Sequence, residues 1–145
     1  MINKTRIIIL AVGFILSACN ATNTENSQVV DKISNLDEII IEAFENRQSN
    51  LQVQGQGVVN KLLADDEVGS RHQKFILRLS SGHTLLVAHN IDLAARIDVL
   101  QVNDVIEFYG EYEWNSQGGV IHWTHDDPSG KHTNGWLKLD GITYH

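Results

Sequence analysis

Residues 118–136 read GGVIHWTHDDPSGKHTNGW, a stretch that holds His122, His125 and His132, an Asp126-Asp127 pair ahead of Pro128, and the indoles of Trp123 and Trp136. Imidazole nitrogens and carboxylate oxygens are the usual donors to Zn²⁺ and related ions. Histidine is also the side chain whose ordinary pKa lies nearest neutrality. Two more polar clusters lie upstream, Arg71-His72-Gln73 and His89-Asn90 with Asp92. His89, His125 and Asp126 or Asp127 could supply three ligands to a divalent metal such as zinc, leaving one position for a water whose pKa the metal lowers. A metal-free version uses His72 or His125 as general acid or base, with Arg71 steadying a phosphate or carboxylate. A third reading makes the same residues loop contacts, with Asp126-Asp127-Pro128 initiating a turn. The His122-x-x-His125 spacing suits a metal only on a helix, because residues three apart on a strand face opposite sides. Gln73, Asn90, Asp92, His132 and Trp136 complete the candidates for ligand contact, whereas Trp114 and Trp123 fall in apolar strand patterns and read as core.

The elements that must position these groups change period along the chain. Val30, Ile33, Leu36, Ile39, Ile40, Ala43 and Phe44 recur every three or four residues, so 29–48 reads as an amphipathic helix. From Leu51 the pattern is strand-like. The successive expectations are a strand at 51–63 with a bulge or bend at Gly55 or Gly57, a loop at 64–71, and strands at 72–80 and 83–89. A short helical stretch at 90–103, strands at 104–114 and 120–125, and a hairpin around Asp140-Gly141 follow. Five strands with a short helix between the third and fourth is the order of an OB-fold, a small Greek-key barrel, and the about 95 residues of 51–145 suffice for one such core. In that topology the start of strand two, the end of strand three and the end of strand five share one rim. The three polar clusters would therefore converge there. The outward face of strand two, with His72, Lys74 and Arg78, and the alternating Glu107, Glu111 and Glu113 of strand four read as solvated stripes.

The segments GSRHQKF, AHNIDLAARI, FYGEYEWN and GGVIHWTHDDPSGKH together resemble a family of small bacterial proteins known only as a domain of unknown function, over residues 55–145. That resemblance implies no activity. GVVNKLLADDE and LLVAHNIDLAAR are also similar to thermonuclease-like OB-folds, but the acidic and arginine set of such a nuclease does not map onto this chain.

The N-terminus speaks to location. Lys4 and Arg6 precede an apolar run, Ile7 to Leu16, closed by Leu16-Ser17-Ala18-Cys19. This is the layout of a secretory signal. Its end resembles the lipobox of bacterial lipoproteins, which implies a signal at 1–18, an acylated Cys19 opening a polar tether at 19–28, and anchoring to a membrane facing the periplasm. Asn20 after the cysteine, in place of aspartate, points to the outer rather than the inner membrane. Removing Lys4 and Arg6 takes the net charge from −7 to −9. Such an acidic domain is not expected to bind nucleic acid, whose affinity comes largely from phosphate neutralisation. With no second cysteine, the fold must be held by its core. The function expected is a lipid-anchored periplasmic binding protein with its site at the His/Asp-rich rim, its partner an envelope ligand or protein. A metal-dependent hydrolase using the same rim, or a purely structural lipoprotein acting through Ile40 and Phe44, are the alternatives.

Overall fold

The computed structural model describes residues 36–145; the signal, Cys19, the tether and the first part of the expected helix lie outside these residues. Helix α1 (36–45) is followed by strands β1 (Leu51–Leu62), β2 (His72–Arg78), β3 (Thr84–Asn90), β4 (Val105–Glu113), β5 (Val120–His122), β6 (Trp136–Leu139) and β7 (Ile142–Tyr144). The neighbour order β1-β2-β3-β5-β4 closes through β1–β4 pairing, and β6-β7 adds a hairpin to β4 beyond β5. β5 runs parallel to β3 while the other pairs are antiparallel. This is the expected OB-like barrel. Closure removes open edges from the five barrel strands, and the short β7 is left as the edge of the added hairpin.

Period-two alternation explains why each strand sits as it does. Phe75 and Leu77, Leu85 and Val87, and Ile106, Phe108 and Tyr112 all point inward and are buried. β1 is long enough to serve two partners, pairing 51–58 with β4 and 58–62 with β2. Its irregularity falls between Val59 and Lys61, a few residues past the glycines expected to bend it. Ile40 and Ala43 of α1 join the core, and Trp114 Nε1 donates to the Phe44 carbonyl at 3.0 Å. Asp37, itself buried, accepts from Ser80 Oγ at 2.6 Å and Ser81 N at 3.0 Å. The helix thus closes the barrel at the β2–β3 turn. Ile40 is an interior residue, not part of an exposed docking face.

The helix expected at 90–103 is not formed; the segment runs as consecutive turns. Several of its backbone groups are taken by side chains instead. The buried Gln73 amide donates to Ile97 O and accepts from Ile97 N, both at 2.9 Å, replacing two helical hydrogen bonds. Asn90 Oδ1 accepts from Asp92 N at 2.9 Å, a local turn that competes with helix. β5 is also shorter than expected. Trp123 adopts a left-handed backbone (φ 50°), which ends the strand at His122. Asp140 and Gly141, at φ 49° and 80°, form the expected hairpin turn.

Candidate functional site

The three polar clusters do meet at one barrel end, since His72 pairs with Asn90 and Gln73 with His89 across β2 and β3. Most of their polar groups, however, bond one another. His89 is fully buried; its Nε2 faces the Ala95 carbonyl at 3.2 Å and its Nδ1 the hydroxyl of buried Thr124 at 2.8 Å. The carbonyl can only accept, so Nε2 carries the proton and Nδ1 accepts from Thr124. Burial pushes the His89 pKa down to about 4, against the opposing pull of the Ala95 hydrogen bond. This is a neutral core histidine with both nitrogens engaged, and it offers no lone pair to a metal. His125 is buried as well and donates Nδ1–H to the Asp126 carbonyl at 2.7 Å.

Asp126 pairs with His145 Nδ1 at 3.1 Å. Asp127 organises its loop, accepting from Ser129 N and Oγ, Lys131 N and His132 N at 2.7–2.9 Å, and the Ser129 amide leads the hydrogen bonds that hold its carboxyl well below the usual range. His89, His125, Asp126 and Asp127 therefore do not form a metal-ligand set in this fold. Arg71 is tied to Asp92, by its amide and by Nε, each at 2.7 Å. Both side chains are exposed, so Arg71→Ala should leave the urea midpoint nearly unchanged. Trp136 is half-buried on β6, with Lys138 Nζ 4.9 Å above its ring.

A different group of chemistry-bearing residues does assemble, on the outer face of the barrel. The β4–β5 register sets Glu111 opposite His122 and Glu113 opposite Val120. Ligand atoms of Glu111, Glu113 and His122 lie within 4.8 Å of one another. His122 Nε2 is 3.4 Å from Glu111 Oε1, yet it is a buried atom with no hydrogen-bond partner. Burial lowers the His122 pKa, countered in part by the two glutamates. On its other oxygen Glu111 accepts from His132 Nε2 at 2.7 Å. His132 Nδ1 faces the Thr133 carbonyl at 3.0 Å, so both ring nitrogens face acceptors, an arrangement that favours the imidazolium. Burial opposes that charge, but the Thr133 and Glu111 hydrogen bonds prevail and the pKa is raised. Trp123 is not core: it stacks on His132 with centroids 4.0 Å apart and planes 7° from parallel.

Beside this cluster a groove of about 440 Å³ crosses β2, β3 and β5. Leu86, Ala88 and Val120 form its floor, and His72 and Lys74 stand on one side, with Glu113 and His122 on the other. The glutamates of β4 were expected to be plain solvent contacts; instead Glu111 is 16% exposed, enclosed by the 123–135 loop. Counting outward from the NSQGG turn pairs Glu113 with Val120 and Glu111 with His122, which is the signal for this cluster in the sequence.

The architecture and its polar outer face define a small OB-like β-barrel of unknown function. The chain belongs to the family described as Protein of unknown function (DUF3465), which it matches over residues 24–145. No curated protein matches the chain.

Proposed function

We propose that this chain is a lipid-anchored binding module of the bacterial cell envelope that seats an uncharged, hydroxyl-rich ligand such as an envelope glycan. The observation that carries the reading is the groove across β2, β3 and β5. Its apolar floor suits the carbon face of a sugar ring, while His72 and Lys74 on one side and Glu113 and His122 on the other offer donors and acceptors for hydroxyls. Oligosaccharide-binding OB-folds use the same strand 2–3 face. The acidic balance of the chain disfavours polyanions. The rim residue that contributes is His72. Anchoring is supported by the LSAC sequence ending at Cys19, and one acyl chain alone would hold the protein only marginally.

Titration of the full-length protein with soluble cell-wall glycan oligomers tests the ligand assignment. Ala88→Trp should fill the groove floor and weaken binding at least tenfold, and His72→Ala should weaken it by a smaller factor. Equal affinity in wild type and both variants would reject the groove. In cells, Cys19→Ser should move the protein from the membrane fraction to the soluble one; retention in membranes would reject the acyl anchor.

A further inference from the structure

We propose that Glu111, Glu113 and His122 form a zinc(II) site at the edge of the groove, with His132 as the residue that positions Glu111. The donors are two carboxylates and an imidazole, contributed by facing strands in fixed register. Their ligand atoms already lie within 4.8 Å of one another, and tetrahedral zinc needs separations of roughly 3.4 Å, the distance that already separates His122 Nε2 from Glu111 Oε1. The Nε2 atom of His122 is buried and makes no well-formed hydrogen bond, while the rest of the ring is exposed toward the groove. A buried ring nitrogen is rarely left unpaired, and this one is directed at the Glu111 carboxylate, 3.4 Å away. Among the described residues, neither glutamate is paired with a lysine or arginine; Glu111 is met by His132, whereas Glu113 has no cationic partner, so the charge of the pair is only partly balanced.

Access is provided by the groove, which His122 and Glu113 both line. Three protein ligands leave a coordination position open on that side. Glu113 Oε1 takes a weak hydrogen bond from Asn50 N at 3.3 Å, which leaves its other oxygen for the metal. His132 donates to Glu111 Oε2 at 2.7 Å and is clamped by Trp123, so it fixes the carboxylate without being a ligand. Such supporting hydrogen bonds to ligating groups typically change metal affinity by about 10- to 100-fold. This site is separate from the rim histidines His89 and His125, and it stands whether or not the groove holds a glycan.

The test is equilibrium dialysis and calorimetry of the full-length, untagged protein with zinc alone, followed by thermal melts of each variant without metal to verify folding. The expected result is one zinc per chain, with at least a hundredfold loss of affinity in His122→Ala and in Glu111→Gln. Glu113→Gln should weaken binding by a smaller factor. His132→Ala should lose about 10- to 100-fold at unchanged stoichiometry, and His132→Gln, which can still donate to Glu111, should recover part of it. His122→Gln serves in place of His122→Ala if the latter melts early. No saturable binding by folded wild type would overturn the proposal. So would binding that survives His122 substitution and disappears in His125→Ala or His145→Ala, which would put the ion at the rim.

Discussion

Replacing His89 by alanine is expected to destabilise the protein by roughly 3–5 kcal/mol at pH 7.5, and by far less at pH 4. The first figure combines the cavity left by a fully buried ring with the loss of partners for the Thr124 hydroxyl and the Ala95 carbonyl. The pH dependence follows from linkage. In the unfolded chain His89 titrates near its ordinary pKa of 6.5, but in the folded protein burial depresses that value to about 4. As pH falls through the window between these values, the unfolded state takes up a proton that the folded state refuses. Stability is therefore full above about pH 6.5 and declines progressively to about pH 4, by about 3 kcal/mol for a shift of this size. The alanine variant has no such group, so the wild-type advantage should shrink over the same window. Urea denaturation of both proteins at pH 7.5, 6, 5 and 4 isolates the effect, because carboxylate titration is common to both and drops out of the difference. A constant difference across that range would mean that His89 is not a buried neutral histidine.

That histidine also shows what could and could not be read in the sequence. The barrel was legible because its strands alternate cleanly: Phe75, Leu77, Ile106, Phe108 and Tyr112 lie inside as their spacing requires. The meeting of the three polar clusters at one end followed from topology alone. Their use did not, because a buried imidazole bonded to a threonine hydroxyl and a backbone carbonyl has the same one-letter code as a metal ligand. The helix expected at 90–103 failed for a non-local reason, the Gln73 side chain holding both polar groups of Ile97. No window confined to 90–103 contains that information.

Glu111 and Glu113 illustrate the converse. Alternation correctly turns them away from the core, but it cannot distinguish a solvated face from one covered by a loop. The cover is the 123–135 segment, held back on the barrel by Gly135 N donating to His125 O at 2.9 Å and shaped by the Asp127 carboxylate. Those constraints come from residues distant from β4. The left-handed Trp123 that turns the chain into this loop was equally invisible, since a bulky residue rarely adopts that conformation.

The same dependence on one turn makes Gly118→Ala the other substitution with a large expected effect, about 4 kcal/mol or more of lost stability. Gly118 has φ 116°, a conformation that an L side chain adopts only with strain of order 1–3 kcal/mol. A Cβ there would also collide with the Thr84 carbonyl, which is backbone at the start of β3 and cannot swing aside. Relief would require β5 to move away from β3, at the expense of their parallel pairing at Leu86–Val120 and Val87–Ile121. The Gly118 carbonyl accepts from His83 Nε2 at 2.8 Å and from the Tyr112 hydroxyl at 3.3 Å, so displacement breaks two further contacts. Gly141→Ala is the matched control. Its φ is also positive, 80°, but nothing lies within 4 Å of an added Cβ, so only the conformational cost of about 1 kcal/mol applies. Thermal and urea unfolding of the two variants should separate clash from strain. Equal losses would show that the β4–β5 turn can relax away from Thr84. A much larger loss in Gly118→Ala would identify the Thr84 contact as the constraint on the turn that leads into Val120 of the groove floor and His122 of its side.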